Sequence, residues 1–279
     1  MAKISAVIIT LNEERNIARC LDSLMPVADD ILVVDSYSTD LTEYICRERG
    51  VRFIQRKFTT YSEQKNFAVG QARYDNILSL DADEYLSPEL IQSILAIKET
   101  WTTEAYRMNR LSSYAGKWIH RGSWYPNRQL RLWNRNHGRW NDSNPHEVVV
   151  LDNGMKPIQL NGDLMHRSYA NASEALQKIQ LYSTLYAESK VGKKKVNIAD
   201  IMFHSGWAFF KSYFYKLGFM DGYHGLMVAK ISAAHTLFKY VKLYEANQGW
   251  LGGKTRIWVE KNLVEVAIHK KSIEDQVTK

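Results

Sequence analysis

The chain has 279 residues, of which 45% are hydrophobic, and it carries a formal net charge of +7. This composition excludes a disordered protein and supports a sizeable core, either as one large domain or as one domain with an appendage. The two cysteines, Cys20 and Cys46, argue against a disulfide framework and favour packing thiols in a reducing compartment. Because the chain starts without a signal-peptide pattern and no apolar run reaches spanning length, we expect a cytoplasmic protein.

Apolar runs alternate with amphipathic stretches in the N-terminal segment of the chain. Asn12 is a predicted helix N-cap, Ser62 is another, and a helix ends at Gly50. Ser87 and Pro88 are the predicted N-cap and first residue of a further helix. The predicted strands are Ile4 to Ile9, Ile31 to Val34, Val51 to Ile54 and the run that ends at Asp81. The alternation indicates an α/β domain with a parallel sheet and right-handed crossovers.

Two carboxylates follow the fourth predicted strand. Asp81 and Asp83 come directly after the apolar run of Ile77, Leu78 and Leu80. Ligands of such sheets bind beyond the carboxyl ends of the strands. Carboxylates two residues apart at that place can share a divalent cation and sugar hydroxyls, as binding of a nucleotide diphosphate requires. The alternative is a polar loop that only caps the following helix.

The middle region has a different pattern. Short strands are predicted at Glu104 to Arg110, Arg128 to Trp133 and Glu147 to Leu151, with no helix between Thr102 and Tyr169. Its aromatic side chains can stack on sugar rings or pack in the core. They include Trp118, Trp124, Tyr125, Trp133 and Trp140. Asn171 and Glu174 match a capping box, which predicts a helix to about Lys190.

The C-terminal region of the chain is basic and amphipathic. From Lys193 onward there are 14 Lys or Arg against 7 Asp or Glu, and the stretches 199–217 and 223–244 have helical spacing of apolar residues. These helices can lie in an anionic membrane interface or pack on the catalytic domain. Nucleic-acid binding is a weak alternative because no binding motif accompanies the charge.

Three segments resemble the inverting family 2 glycosyltransferases of the GT-A fold. They are Val-Ile-Ile-Thr-Leu-Asn-Glu-Glu at residues 7–14, Ile-Leu-Val-Val-Asp-Ser-Tyr-Ser-Thr-Asp at 31–40, and Leu-Ser-Leu-Asp-Ala-Asp-Glu at 78–84. Further matches at Asn144-Pro-His-Glu147, His166-Arg-Ser-Tyr and Gly218-Phe-Met-Asp-Gly222 look like the bacterial lipopolysaccharide core glucosyltransferase branch. The resemblance implies a mixed, mainly parallel Rossmann-like sheet flanked by helices. We expect a catalytic domain at 1–192, in which residues 1–100 bind the nucleotide and residues 101–192 bind the acceptor, and a helical C-terminal region at 193–279.

The resemblance also implies roles for individual residues. Asp35 would pair with the uracil edge, Asp81 would bind ribose, and Glu147 would be the catalytic base, with Asp142 and Glu84 as competitors. Asp83 would ligate Mg²⁺ or Mn²⁺, and His166 is either a further metal ligand, which favours Mn²⁺, or an ordinary histidine. The remaining residues implied in nucleotide-sugar binding are Thr10, Leu11, Asn12, Glu14, Gln64 and Lys65.

The function implied is transfer of a hexose, glucose in our prediction, from a UDP-sugar to a lipopolysaccharide-core or other lipid-linked saccharide. The expected partners are the donor, the acceptor and an anionic membrane surface, on the inner face of the cytoplasmic membrane, without nucleic acid. A polyprenyl-phosphate glycosyltransferase is the nearest alternative, although such enzymes commonly have membrane-spanning segments. A haloacid-dehalogenase-type phosphatase is an alternative from another class, but Glu84 and Tyr85 follow Asp83 where that motif has Gly and Thr or Val.

Overall fold

A computed structural model describes residues 1–101, 105–141, 147–152 and 154–250. Asp142, the segment Asn144-Pro-His and the stretch after residue 250 therefore lie outside the described residues. The described chain forms two compact units. Unit 1 comprises Met1–Leu111 and Asn127–Arg167, and unit 2 comprises Ser112–Pro126 and the described residues from Ser168 onward. The predicted division of the chain at residue 192 stays a prediction.

The N-terminal stretch of unit 1 alternates strands and helices in the predicted order. The strands are β1 (Ile4–Thr10), β2 (Asp30–Asp35), β3 (Arg52–Gln55) and β4 (Asn76–Asp81), and the helices between them are α1 (Ile17–Leu24), α2 (Thr42–Glu48) and α3 (Tyr61–Gly70). β5 (Glu84–Leu86) and α4 (Pro88–Glu99) follow. The four strands β1 to β4 pair in parallel, in the order β3-β2-β1-β4.

The later strands extend this sheet with antiparallel pairs. They are β6 (Ala105–Tyr114), β7 (Lys117–Trp118), β8 (Asn127–Asn134) and β11 (Ile158–Tyr169), while β9 (Gly138–Trp140) and β10 (Val149–Leu151) form a separate pair. Within the described residues, nine strands join one sheet in the order β3-β2-β1-β4-β8-β6-β11-β5, with β7 on β6. The predicted fold class, a GT-A-type mixed sheet flanked by helices and followed by C-terminal helices, is confirmed.

The apolar runs explain why these strands occupy the middle of unit 1. Ile77 and Leu78 of β4 are fully buried, as are Ile4 and Ile8 of β1. Full burial of each such side chain contributes about 1.5–3 kcal/mol. Both faces of these strands are covered, as expected for a parallel sheet flanked by helices. Cys20 and Cys46 are buried in the same core, which confirms the packing interpretation.

The helix starts follow the predicted capping chemistry only at some positions. Ser87 caps α4 by accepting from the Leu90 N–H at 3.2 Å, with Pro88 as the first helical residue. The prediction for Ser62 was wrong, since α3 is capped by Thr60, whose hydroxyl accepts from the Glu63 N–H. The predicted N-cap lies two residues after the observed one, because both Thr60 and Ser62 precede the acidic residue of the first turn, Glu63.

Unit 2 contains three long helices. α5 (Ala172–Lys190) and α6 (Ile198–Phe210) both pack on α7 (Gly222–Asn247). A π-helical turn at Lys211–Tyr215 continues α6, and one-turn 3₁₀ helices lie at Gly122–Trp124 and Gly218–Asp221. No helix among the described residues is long and apolar enough to cross a membrane.

Two glycines at the start of α7 meet different requirements of the backbone. A Cβ atom on Gly225 would lie 1.8 Å from the carbonyl oxygen of Gly218. Gly222 has a φ of +61°, which favours glycine. The glycine spacing of the segment 218–222 therefore serves the turn from the π-helix into α7.

Candidate active site

Three predicted site residues lie at adjacent strand ends. In the sheet register, Thr10 of β1 is opposite Asp35 of β2, and Ile9 of β1 is opposite Asp81 of β4. Because parallel strands end at one edge, the fold brings Thr10, Asp35 and Asp81 to the same rim of unit 1. This rim is where ligands of open α/β sheets bind.

The turn after β1 is bound to the loop after β2. Asn12 adopts a φ of +52°, its N–H donates to Ser38 Oγ at 2.8 Å, and its side-chain oxygen accepts from the Thr39 N–H at 2.8 Å. Glu14 accepts from the Leu41 N–H at 2.9 Å. The predicted N-cap role of Asn12 was wrong, because α1 starts only at Ile17. Asn12, Glu14 and the adjoining Leu11 instead form a turn that is hydrogen-bonded to the loop after β2.

Asp35 is fully buried beneath this turn. One carboxylate oxygen accepts from the Ser38 N–H at 2.8 Å and the other from the Ser38 hydroxyl. Burial raises the pKa of Asp35, and the hydrogen bonds from Ser38 act in the opposite direction. The carboxylate thus fixes the shape of the loop after β2.

Asp81 is held by two cations. Lys65 Nζ lies 2.9 Å from one of its oxygens and an Arg131 nitrogen lies 2.8 Å from the other. Burial alone would raise the pKa of Asp81, but the charges of Lys65 and Arg131 outweigh burial and hold it well below its usual range. Asp81 is therefore an ionised acceptor with about a third of its side chain exposed.

A third carboxylate, Glu84, belongs to the same cluster. Its side chain is fully buried, and it accepts from the Asp81 N–H at 3.1 Å, from Arg131 at 2.8 Å and from Arg110 at 3.4 Å. A carboxylate with this many donors has little capacity left for an acceptor hydroxyl. Glu84 is thus a structural partner of Asp81 and a poor competitor for the role of base.

Asp83 and His166 are brought together by strand pairing. β5 pairs antiparallel with β11, which places His166 opposite Glu84. As a result, His166 Nε2 lies 3.5 Å from Asp83 Oδ2, and both side chains are partly exposed. One carboxylate and one imidazole can hold a divalent cation when diphosphate oxygens and water supply the other ligands. No group of three or more His, Cys, Asp or Glu in the described chain forms a complete metal site.

Glu147 joins the cluster through Lys65. Its Oε1 lies 3.1 Å from Lys65 Nζ, and its Oε2 is buried without a hydrogen-bond partner within the described ranges of the chain. Trp140 lies under Lys65, with Nζ 4.4 Å from the ring centroid. Burial and, to a smaller extent, the charge of Glu147 raise the pKa of Tyr61 to about 12. Lys65 thus connects Glu147 to Asp81.

Gln64 points to a different region of the rim than Lys65. It is fully buried and donates to Ser36 Oγ at 3.2 Å, while Arg56 donates to its oxygen at 3.3 Å. Gln64 therefore supports the loop after β2, whereas Lys65 lies between the carboxylates. Arg131 was not among the predicted site residues, because an isolated arginine in a strand gives no local signal of a partner 50 residues away.

Known protein families and relatives show the family to which the chain belongs. The sequence profile described as "Glycosyl transferase family 2" matches residues 5–149, and the chain belongs to that family. It is 33% identical over 259 residues to an uncharacterized glycosyltransferase of Rickettsia typhi, covering 88% of each chain. It is 30% identical over 252 residues to the lipopolysaccharide core biosynthesis glycosyltransferase LpsC of Rhizobium meliloti, covering 87% of this chain and 92% of that one.

A solved structure is similar to a portion of the chain. It is glucosyl-3-phosphoglycerate synthase from Mycobacterium tuberculosis in complex with Mn²⁺, UDP and glucosyl-3-phosphoglycerate. The TM-score is 0.34 at 22% identity, over 40% of this chain and 44% of that one. Family membership makes the chain a glycosyltransferase and removes the phosphatase alternative.

Proposed function

We propose that the chain is an inverting, metal-dependent glycosyltransferase that moves a hexose, glucose in this proposal, from UDP to a lipopolysaccharide-core or other lipid-linked saccharide. The observation that carries the proposal is the link from Asp81 through Lys65 to Glu147. Asp81 and Glu147 are 66 positions apart in the sequence, yet one lysine contacts both. This shared contact supports a site in which Asp81 binds the donor and Glu147 acts on the acceptor beside it.

In this proposal the rim of unit 1 binds the nucleotide. The turn of Thr10, Leu11, Asn12 and Glu14 holds the base and ribose from one side, and Asp35 with Ser38 faces the uracil edge. Asp81 accepts from ribose hydroxyls, for which an ionised carboxylate is suited. Gln64 keeps the loop after β2 in place.

Asp83 and His166 would hold the divalent cation. Their separation of 3.5 Å fits two ligands on one ion with the remaining positions left to substrate and water. A cation bound there supplies charge neutralisation for the departing diphosphate. Histidine as a ligand favours Mn²⁺ over Mg²⁺ because imidazole is a softer donor.

Glu147 is the proposed base. As the acceptor oxygen forms its bond to the anomeric carbon, the bond from that carbon to the UDP oxygen breaks with inversion. The proton of the acceptor hydroxyl passes to Glu147 Oε2, the oxygen without a partner among the described residues. Positioned general bases contribute about 10² to 10⁴ in rate.

A donor panel and one base variant test the proposal. Hydrolysis and transfer are measured across UDP-, GDP- and TDP-sugars with Mg²⁺ and Mn²⁺, using lipopolysaccharide-core saccharides and polyprenyl phosphate as acceptors. We expect UDP-glucose to be used, and Glu147→Gln to lose about 10² or more in turnover while retaining donor binding. Glu89→Gln, an exposed carboxylate on α4, is the control and should transfer normally. Near wild-type transfer by Glu147→Gln would refute the assignment, and transfer only to polyprenyl phosphate would favour that alternative.

The likeness to LpsC supports the acceptor class. We further propose that unit 2 attaches the enzyme to the cytoplasmic face of an anionic membrane. α6 and the turn after it carry apolar side chains that are about half or more exposed, among them Phe203, Trp207, Phe210 and Phe214. Residues 193–250 contain eight Lys and three Asp or Glu, which complements anionic headgroups.

Vesicle sedimentation tests this attachment. Wild-type protein should sediment with phosphatidylglycerol vesicles and much less with phosphatidylcholine vesicles. The double change Phe203→Ser and Phe210→Ser should reduce binding to phosphatidylglycerol, because it removes apolar surface available for insertion. Leu176→Ser changes an equally exposed apolar residue on α5 and should bind normally. Equal binding of the double variant would refute the role of this face.

A further inference from the structure

Unit 2 contains a cavity of about 400 Å³ that the transferase proposal does not use. It is lined by residues of the 3₁₀ turn at Gly122–Trp124, by the end of β11, and by α5, α6 and α7. Its size lies in the range of roughly 300–1,000 Å³ that is usual for small-molecule sites. All lining residues belong to unit 2, and none of them is a residue of the rim that carries Asp81.

Three lysines give the cavity a positive lining. Lys178 Nζ donates to the Ser168 carbonyl at 3.1 Å, and Lys239 and Lys211 lie on α7 and on the π-helical turn. None of the described lining residues is Asp or Glu. Burial lowers the pKa of Lys239, while Tyr240 acts in the opposite direction and Lys194 adds a smaller lowering. A desolvated cation without a carboxylate in the same cavity is stabilised when an anion enters.

Aromatic rings form the rest of the wall. His204 stacks on Tyr240 with ring centroids 4.7 Å apart and an interplanar angle of 5°. Trp124 lies 5.3 Å from Tyr169, and Trp207 completes the aromatic wall. Hydroxyl groups of Ser123, Ser232 and Thr236 add further donors and acceptors. Ring faces beside hydroxyl groups suit a sugar, which has apolar faces and polar edges.

We infer that this cavity binds a phosphorylated saccharide, with the phosphate among Lys178, Lys211 and Lys239 and the sugar ring against the aromatic wall. Lysines alone would accept any anion, whereas aromatic rings and hydroxyls next to them select an anion that carries a ring. The ligand is either a free sugar phosphate or the phosphorylated saccharide head of a glycolipid. Both share the chemistry that the lining recognises.

Binding of glucose 6-phosphate tests the inference, followed by tryptophan fluorescence because Trp124 and Trp207 line the cavity. We expect saturable binding that is at least about tenfold tighter than that of inorganic phosphate or methyl glucoside. The double change Lys178→Met and Lys239→Met should weaken it by about tenfold or more, as expected for loss of charge-assisted hydrogen bonds. Lys193→Met, at an exposed position outside the cavity, should bind normally.

Vesicles distinguish the two sources of the ligand. Wild type and the lysine double variant are compared on phosphatidylglycerol vesicles with and without lipid A, a phosphorylated disaccharide lipid. A lipid A-dependent gain that the double variant lacks assigns the glycolipid source, and binding of glucose 6-phosphate alone assigns the free one. The inference is overturned if neither ligand binds, if inorganic phosphate binds as tightly as glucose 6-phosphate, or if a folded double variant, checked by circular dichroism, binds like the wild type. Each of these results leaves the transferase proposal unaffected.

Discussion

Replacing Lys65 by Met perturbs the cluster at its centre. Lys65 is 4% exposed and contacts Asp81 at 2.9 Å and Glu147 at 3.1 Å. Removing one partner of a buried ion pair costs about 3–5 kcal/mol, because a buried charge is left without compensation. Asp81 keeps Arg131 as a partner, whereas Glu147 loses its cation, so we expect a loss near the lower limit, about 3 kcal/mol at pH 7.

The pH dependence gives this prediction a second test. The folded-state pKa of Asp81 is depressed, so its ion pairs stabilise the fold above the unfolded pKa of about 4 and this stabilisation is lost as pH falls. In Lys65→Met the folded-state pKa of Asp81 is depressed less. The variant therefore loses less stability as the pH falls. The difference between wild type and variant should therefore be largest above about pH 5 and shrink toward about pH 3.

Chemical denaturation at several pH values between about 3 and 7 measures the loss of stability at pH 7 and its dependence on pH. Lys57→Met is the matched control, since Lys57 is exposed in the loop before α3 and its replacement should change stability by no more than about 0.5 kcal/mol. A loss below about 1 kcal/mol for Lys65→Met at pH 7, or a difference that does not vary with pH, would refute the reasoning.

Three further predictions concern packing and titration. Burial lowers the pKa of Lys242 from 10.5 to about 8. Between pH 8 and pH 10.5, the free energy of unfolding of the wild type should therefore rise by about 3 kcal/mol relative to that of Lys242→Met, as measured by urea titration. Wild-type and variant stabilities that change in parallel with pH would contradict this. Gly225→Ala should lower the stability by about 2 kcal/mol or more, because a Cβ atom at Gly225 would clash with the backbone. Gly206→Ala in α6, where a Cβ atom meets nothing within 4 Å, should raise the stability by about 0.5–1 kcal/mol. Equal shifts of the two variants in thermal unfolding would contradict the close approach at Gly225. Burial raises the pKa of Cys46 to about 12 and also raises that of Cys20, so neither thiol should react with Ellman's reagent at pH 8 unless the protein is unfolded, and prompt labelling of the folded protein would show that the burial is wrong.

The alternating half of the fold could be predicted because its signals are local. Each of β1, β2 and β4 is an apolar run followed directly by polar residues, and parallel pairing then brings those polar residues to one rim. Thr10, Asp35 and Asp81 could thus be placed together without knowing the register. The N-cap of α4 was also predictable, since Ser87 and Pro88 are adjacent to the helix they start.

The errors and omissions arise from contacts between distant segments. Asn12 caps no helix because its side chain binds the Thr39 N–H from the next βα turn. Arg131 reaches Asp81 only because β8 pairs antiparallel with β4. The contact of Lys65 with Glu147 spans 82 positions. Such pairs leave no periodicity in the sequence. The predicted residues therefore included Asp81, Lys65 and Glu147, which the family resemblance implies, but not Arg131.

Calorimetric titration of UDP-glucose, with and without Mn²⁺, tests the central claim that this rim is a metal-assisted nucleotide-sugar site. We expect wild-type protein and Glu147→Gln to bind UDP-glucose when Mn²⁺ is present, and Asp83→Ala to lose that metal-dependent binding. Binding by Asp83→Ala that equals the wild type in affinity and in metal dependence would contradict the claim.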